Sequence, residues 1–338
     1  MKKRTLITGA TGFLGAHLVD VLGRTDAKLR VLCRQPSAEV TRRFKDAGVE
    51  VAPGSVTVAA DVAKALDGVD RVYHLAGFVS RKAEDGHRMF EVHVDGTRVL
   101  CEAAIAAKVD RIVLASTSGT VAVARGAEEL PDETSPAPVD IIGRWPYYAS
   151  KLYQEETARR ICAGKVELVT VNPSLLLGPG DDRLSSTRDV LAFLARDIPV
   201  TPPGGINFVD ARDVAAALPV AMEKGGAGER YLLGGHNWTF VEFFARLSRL
   251  AKVPAPLIKG RGRWPYLASR VQSAVYKQLG RTPAIDPESV EMGEYFWYFN
   301  SDKAARELDF RPREASDTLW STIEDLRRRH MATRRAFV

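Results

Sequence analysis

A tyrosine placed one helical turn before a lysine can give up a proton while the ammonium stabilises the phenolate left behind. The segment RWPYYASKLYQEE offers that arrangement: Tyr147 lies four residues before Lys151, and Tyr148 three. Pro146 suits the first turn of a helix, so either tyrosine comes within reach of Lys151 on one face. A free phenol has a pKa of about 10, and a nearby cation is needed to bring it toward working pH. Spacing alone leaves the choice between Tyr147 and Tyr148 open.

A second group of residues suits a phosphate-bearing ligand. In GATGFLG, Gly9, Gly12 and Gly15 recur at threefold spacing directly after the apolar run RTLIT, with a helix expected to begin inside the motif. Each glycine then has a reason: a tight turn, backbone approach to a pyrophosphate, and close packing of helix on strand. At the end of the second strand of such a unit a carboxylate would hydrogen-bond the adenosine ribose. Here that place is held by Cys33, followed by Arg34. A guanidinium can pair with a 2′-phosphate, so NADP is expected in preference to NAD.

The elements that must position these groups are legible as an alternation. Apolar, β-branched runs occupy 4–8, 28–33, 49–53, 70–76, 110–116 and 166–172, with helix-length amphipathic stretches between them, such as Leu14, Leu18 and Leu22 at fourfold spacing. That alternation predicts an α/β fold, a doubly wound parallel sheet covered on both faces. After Asn172 the rhythm breaks. The dinucleotide domain is expected to span 1–172 and to regain segments from about 206–235, where INFVDARDVAAALPVAM and ERYLLGG return to the sheet. Residues 173–205 and 236–330 then form a smaller, discontinuous, mostly helical substrate lobe, and 331–338 a basic tail.

Composition sets the outer bounds. The 338 residues are 45% hydrophobic with a formal charge of +6, enough to bury a sizeable core. Arg327, Arg328, Arg329, Arg334 and Arg335 carry most of that excess, so the body is nearly neutral and nucleic acid is not an expected partner; the arginines read as a solvated terminus. Cys33, Cys101 and Cys162 lie far apart without metal-ligand spacing, which fits a reducing cytoplasm and no metal. No window is long and apolar enough to predict a membrane span, and the N-terminal run reads as the first strand and helix rather than as a signal peptide.

Taken together, TGATGFLG, VYHLAG, VHVDGT, LASTSGTV, PYYASK, NPSLLLGPG, FVDARDVA and GERYLLGG resemble the extended short-chain dehydrogenase/reductases, in order and spacing, over residues 4 to 325. Within them the chain resembles most the dihydroflavonol-reductase-like and 3β-hydroxysteroid-dehydrogenase-like branch. The resemblance implies a Rossmann-type sheet, and its Tyr-x-x-x-Lys pattern selects Tyr147 with Lys151. It places the catalytic hydroxyl on Thr117, with Ser118 as the alternative and Ser116 and Thr120 left to satisfy loop backbone groups. It further implies cofactor contacts from Gly9, Thr11, Gly12, Phe13, Leu14, Gly15, Leu75, Ala76, Gly77 and Pro173, besides Arg34, Tyr147 and Lys151. Two positions depart from the family pattern: His93 stands where asparagine is usual, and Ser55 where aspartate is usual. His93 is expected to be structural.

The activity implied is that of an NADPH-dependent ketone reductase or alcohol dehydrogenase in which Lys151 keeps the Tyr147 phenol acidic. An NAD-dependent sugar-nucleotide epimerase or dehydratase and a non-catalytic dinucleotide-binding regulator are the alternatives. A small carbonyl or alcohol compound is the expected partner, and a homodimer is a family-level expectation. Trp264, Leu267, Val271 and Val275, with EYFWYFN, could line an apolar substrate pocket.

Overall fold

The computed structural model describes residues 3–256, 258–259 and 287–331. Trp264, Leu267, Val271 and Val275 lie outside the described residues.

Six parallel strands follow the predicted alternation: β1 (Arg4–Thr8), β2 (Lys28–Cys33), β3 (Glu50–Pro53), β4 (Arg71–His74), β5 (Arg111–Ala115) and β6 (Glu167–Pro173). A later strand, β10 (Arg230–Leu233), adds beside β6, giving the order β10-β6-β5-β4-β1-β2-β3. The order reverses between β1 and β4, which opens a crevice at their carboxyl ends, where ligands of such sheets bind. Ile7 of β1 lies level with Val31 of β2 and Tyr73 of β4.

Both faces of the sheet are covered. On one face α1 (Phe13–Leu22) and α9 (Ala211–Lys224) bury Leu14, Leu18, Leu22, Val214 and Leu218 against Ile7 and Val31. On the other, α3 (Ala59–Ala65), α5 (Gly96–Ala106) and α7 (Pro146–Cys162) bury Leu100, Ala158 and their neighbours against Leu6, Val72 and Ile112. A short helix, α4 (Gly86–Phe90), runs into α5 through one π-type turn, Glu91–Asp95, that contains His93. Single π turns inside α-helices recur at functional sites because they re-aim side chains.

The rest of the chain builds a smaller body. The returning segment β9 (Gly205–Asp210) does not join the large sheet, contrary to the sequence expectation. It pairs instead with β7 (Leu175–Leu177), β11 (His236–Thr239) and β13 (Phe296–Trp297). Phe208 points into a separate core with Phe193, Phe243, Phe244, Leu247 and Leu319, so its apolar residues are drawn away from the first core. Residues Val200–Thr201 and Ile258–Lys259 form a two-stranded patch. Helix α10 (Phe240–Ala251) starts with a reciprocal cap in which Thr239 and Glu242 bond each other's backbone amides.

Of the five C-terminal arginines, Arg334 and Arg335 lie outside the described residues, and the other three have partners. Arg329 pairs with Asp182 and Asp325, Arg328 pairs with Asp325 at 2.8 Å, and Arg327 donates to the Ala251 carbonyl. Carboxylates and a helix-end carbonyl from distant segments converge there, a pattern invisible in a run of like charges. No helix among the described residues is long and apolar enough to cross a membrane.

Candidate active site

The glycine loop joins β1 to α1 as the motif requires. Gly9 has φ +72°, and a Cβ there would stand 2.5 Å from the Leu75 carbonyl oxygen, so only glycine lets the loop pass the end of β4. A Cβ on Gly15 would meet the Gly9 carbonyl at 2.2 Å. Helix α1 has no side-chain cap and no acidic residue in its first turn, so its leading amides and positive dipole end face the crevice. This cradle fits a dinucleotide pyrophosphate, with Gly9, Thr11, Gly12, Phe13, Leu14 and Gly15 around it. Leu75, Ala76 and Gly77 follow β4, where the Leu75 and Ala76 amides donate to Thr8. Pro173 ends β6, flanked by two buried polar atoms, Asn172 Oδ1 and Ser174 Oγ, that lack a hydrogen-bond partner among the described residues. Arg34 is exposed just past β2.

Helix α7 buries a polar face. Ser150, Lys151, Gln154 and Glu155 are all buried where an amphipathic helix would carry leucines. Lys151 Nζ donates to the Ala115 carbonyl at 2.7 Å and to Gln154 Oε1 at 2.5 Å. Gln154 in turn donates to Thr97 Oγ1, which also meets His74 Nε2 at 2.9 Å, and His74 Nδ1 lies 2.8 Å from Thr8 Oγ1. A continuous buried chain therefore ties the lysine to the strand that carries the glycine loop. Burial lowers the Lys151 pKa to about 8, against the pull of Glu155. Burial, helped by the Lys151 charge, lowers His74 to about 3, so its ring is neutral.

The two tyrosines part company in space. The Tyr148 ring lies against Gly119, where a Cβ would come within 2.3 Å of it, and packs on Trp297 at 4.9 Å between centroids. Trp145 and Tyr295 extend that aromatic wall. Tyr147 is half-buried beside His93, and its hydroxyl has no hydrogen-bond partner among the described residues. Burial pushes the Tyr147 pKa up to about 12. The expected acidification by Lys151 is not realised in the protein alone, because burial raises the phenol while the ammonium is directed at Ala115 and Gln154.

Thr117 is half-buried at the end of β5, and its Oγ1 accepts from the Gly119 amide at 3.3 Å. Ser118 is buried. Ser116 and Thr120 serve a different group from the one expected: both hydroxyls donate to the Glu155 carboxylate, at 2.5 and 2.8 Å, although Thr120 also reaches the Thr117 carbonyl. Asn172 donates to the same oxygen, and Arg230 Nη2 lies 3.0 Å from the other. Glu155 stands four residues beyond Lys151, so the recurrence of Tyr147, Lys151 and Glu155 on one face was the signal for it.

His93 fastens the loop after β4. Its Nε2 accepts from the Phe78 amide at 3.0 Å, which leaves Nδ1 protonated and donating to Ser150 Oγ at 2.8 Å. Burial, then the Lys151 charge, lowers its pKa to about 2. Ser55 donates its amide to Asp61 and its hydroxyl lies 3.0 Å from Thr57. Across the crevice mouth, Arg81 grips Asp189 with two bonds, 2.9 and 2.7 Å, and reaches Ser289 at 2.8 Å. Burial opposes the Asp189 charge, but Arg81 overrides it and holds the carboxyl below its usual range.

The model of the NAD dependent epimerase/dehydratase family matches residues 5–234. The chain belongs to that family. Sterol demethylase protein B of Methylococcus capsulatus is 31% identical over 331 residues, which cover 97% of this chain and 99% of that protein. A 4-hydroxy-2-methyl-3-oxo-4-farnesyl-3,4-dihydroquinoline-1-oxide ketoreductase of Stigmatella aurantiaca is 25% identical over 92% of each chain. The crystal structure of gox2253 superposes with a TM-score of 0.83 at 30% identity, covering 97% of this chain and 99% of that one. This family member is thus an NAD(P)-dependent oxidoreductase of the extended short-chain type, on the branch that its sequence motifs indicate.

Proposed function

We propose that the protein is an NADPH-dependent reductase of an apolar ketone, with Tyr147 as the general acid. The observation that carries this reading is the difference in packing within the tyrosine pair: the Tyr148 ring is fitted against Gly119 and Trp297 in an aromatic wall, while the Tyr147 ring stands edge-on to His93, on the helix face that carries Lys151. When bound, the dihydronicotinamide supplies the hydride. Tyr147 gives its proton to the oxygen of the substrate carbonyl, and solvent restores it. Burial keeps that phenol protonated until an alkoxide, a stronger base than phenolate, develops beside it. Thr117 holds the same oxygen by hydrogen bonding, and Lys151 binds the nicotinamide-side ribose and stabilises the phenolate. Arg34 favours a 2′-phosphate. Tyr148 and Tyr295, backed by the buried Trp145 and Trp297, suit an apolar substrate body. The ketoreductase relative is consistent with this chemistry.

The test joins cofactor and chemistry. Denatured protein should release no stoichiometric NAD, and the native protein should bind NADPH more tightly than NADH, a preference lost in Arg34→Ala. On a panel of apolar ketones, Tyr147→Phe should lower turnover by about 10³-fold with cofactor affinity kept, and Tyr148→Phe by less than about tenfold. Retained NAD, or a Tyr147→Phe variant that keeps more than a few per cent of turnover, would refute the assignment.

A further inference from the structure

Arg183 is a cation that the reading above does not use. It belongs to the turn between β7 and the helix α8 (Arg188–Leu194), yet its Nη2 reaches back to Thr11 Oγ1 in the glycine loop, 3.3 Å away. The same guanidinium lies near enough to Cys33, at the end of β2, to act on its thiol, as Arg34 also does. Two guanidiniums from separate parts of the chain therefore flank the ground between the glycine loop and the end of β2. Neither has a carboxylate partner among the described residues.

The neighbouring acids are already engaged. Asp181 is buried and accepts from the amides of Ser185, Ser186 and Thr187 and from two of their hydroxyls. Asp182 pairs with Arg329. The turn itself is fixed: the Gly178 amide donates to Thr322, the Gly180 amide to Asp325, and His17 of α1 lies 2.9 Å from the Pro179 carbonyl. Arg183 is thus presented to the glycine loop from an anchored base, and two like charges share a space that favours an anion between them.

We propose that Arg183 and Arg34 together form a two-armed site for the phosphate monoester on the cofactor's adenosine ribose, Arg183 reaching it from beyond β7. This rests on the NADPH reading above. A phosphate monoester carries a charge of about −1.5 to −2 at neutral pH, which one guanidinium leaves partly uncompensated and two match.

The test uses two nucleotides without nicotinamide, 2′,5′-ADP and 5′-AMP, titrated calorimetrically into the full chain and its Arg183→Ala, Arg183→Lys and Arg34→Ala variants. Arg183→Ala should weaken 2′,5′-ADP at least about tenfold while 5′-AMP changes less than about twofold, and Arg183→Lys should recover part of the loss. Arg183 is exposed, so unliganded urea melts of Arg183→Ala should match wild type. Equal losses for both nucleotides would move Arg183 onto the 5′-phosphate and overturn the proposal, as would an unchanged affinity for 2′,5′-ADP. Wild-type protein that binds both nucleotides alike would sink the NADPH reading itself, and this site with it.

Discussion

Gly12 and Gly15 do different work in the glycine loop, and alanine at each should separate the two. On Gly15 an added Cβ falls 2.2 Å from the Gly9 carbonyl oxygen and 2.8 Å from Ala10 Cα, both backbone atoms with no rotamer to yield. Ordinary contact lies near 3.5 Å, so α1 would have to move off β1 by more than about 1 Å. That helix carries Leu14, Leu18 and Leu22 in the core, and overpacking of this kind costs ~3 kcal/mol. The better helix propensity of alanine returns ~1 kcal/mol, leaving a net loss of ~2 kcal/mol. With a urea dependence of ~3 kcal/mol per molar, the unfolding midpoint should fall by ~0.7 M. On Gly12, with φ −86°, the added methyl meets only the Gly9 oxygen at 3.2 Å. Stability should stay within ~0.5 kcal/mol of wild type, while NADPH affinity falls at least about tenfold, because the methyl stands where backbone approaches the pyrophosphate. Urea melts and fluorescence titration read the two effects separately. A Gly15→Ala protein that melts like wild type, or a Gly12→Ala protein that binds NADPH like wild type, would refute the reasoning.

Two further outcomes follow from the buried charges. The Lys151 pKa is about 8 in the fold and about 10.4 in an unfolded chain, so the folded protein holds fewer protons between those values and gains stability as pH rises through them. Lys151→Met should remove that gain, of order 2 kcal/mol between pH 8 and pH 10, from urea midpoints taken at those two pH values, and an unaltered pH slope would contradict it. Tyr147 acts with the opposite sign only above pH 10, because its raised pKa stabilises the fold at lower pH and that contribution fades toward 12. Glu155→Gln leaves Arg230 facing a neutral amide and should cost ~3 kcal/mol, with Glu155→Gln/Arg230→Met losing less than the two single variants summed. Strict additivity in the melts would show that the pair does not interact.

The first six strands and the glycine helix were readable because buried parallel strands are short unbroken apolar runs and Gly9, Gly12 and Gly15 have no substitutes. The placement of β9 was not, since β-branched residues flanked by turns look the same whichever sheet receives them. The hydroxyls after β5 show a second limit. Type and position could list Ser116, Thr117, Ser118 and Thr120, but the buried carboxylate that occupies two of them comes from α7, and that convergence exists only in three dimensions. The pairing of Arg81 with Asp189 and of Arg183 with Thr11 was likewise out of reach, since each joins residues more than a hundred positions apart. The different surroundings of Tyr147 and Tyr148 were also invisible in the sequence, because Gly119 and Trp297, which receive the Tyr148 ring, come from distant segments.

The turn at Gly178–Gly180 takes its fixing bonds from Thr322 and Asp325, nearly at the far end of the chain. During synthesis, the strands and the glycine loop leave the ribosome well before those side chains exist. A nascent chain can therefore assemble its large sheet while the neighbouring turn, with Arg183 on it, still lacks its anchor. The anchors of this turn are made more than a hundred residues after the turn itself, so the order of synthesis separates the sheet from the contacts that steady its edge.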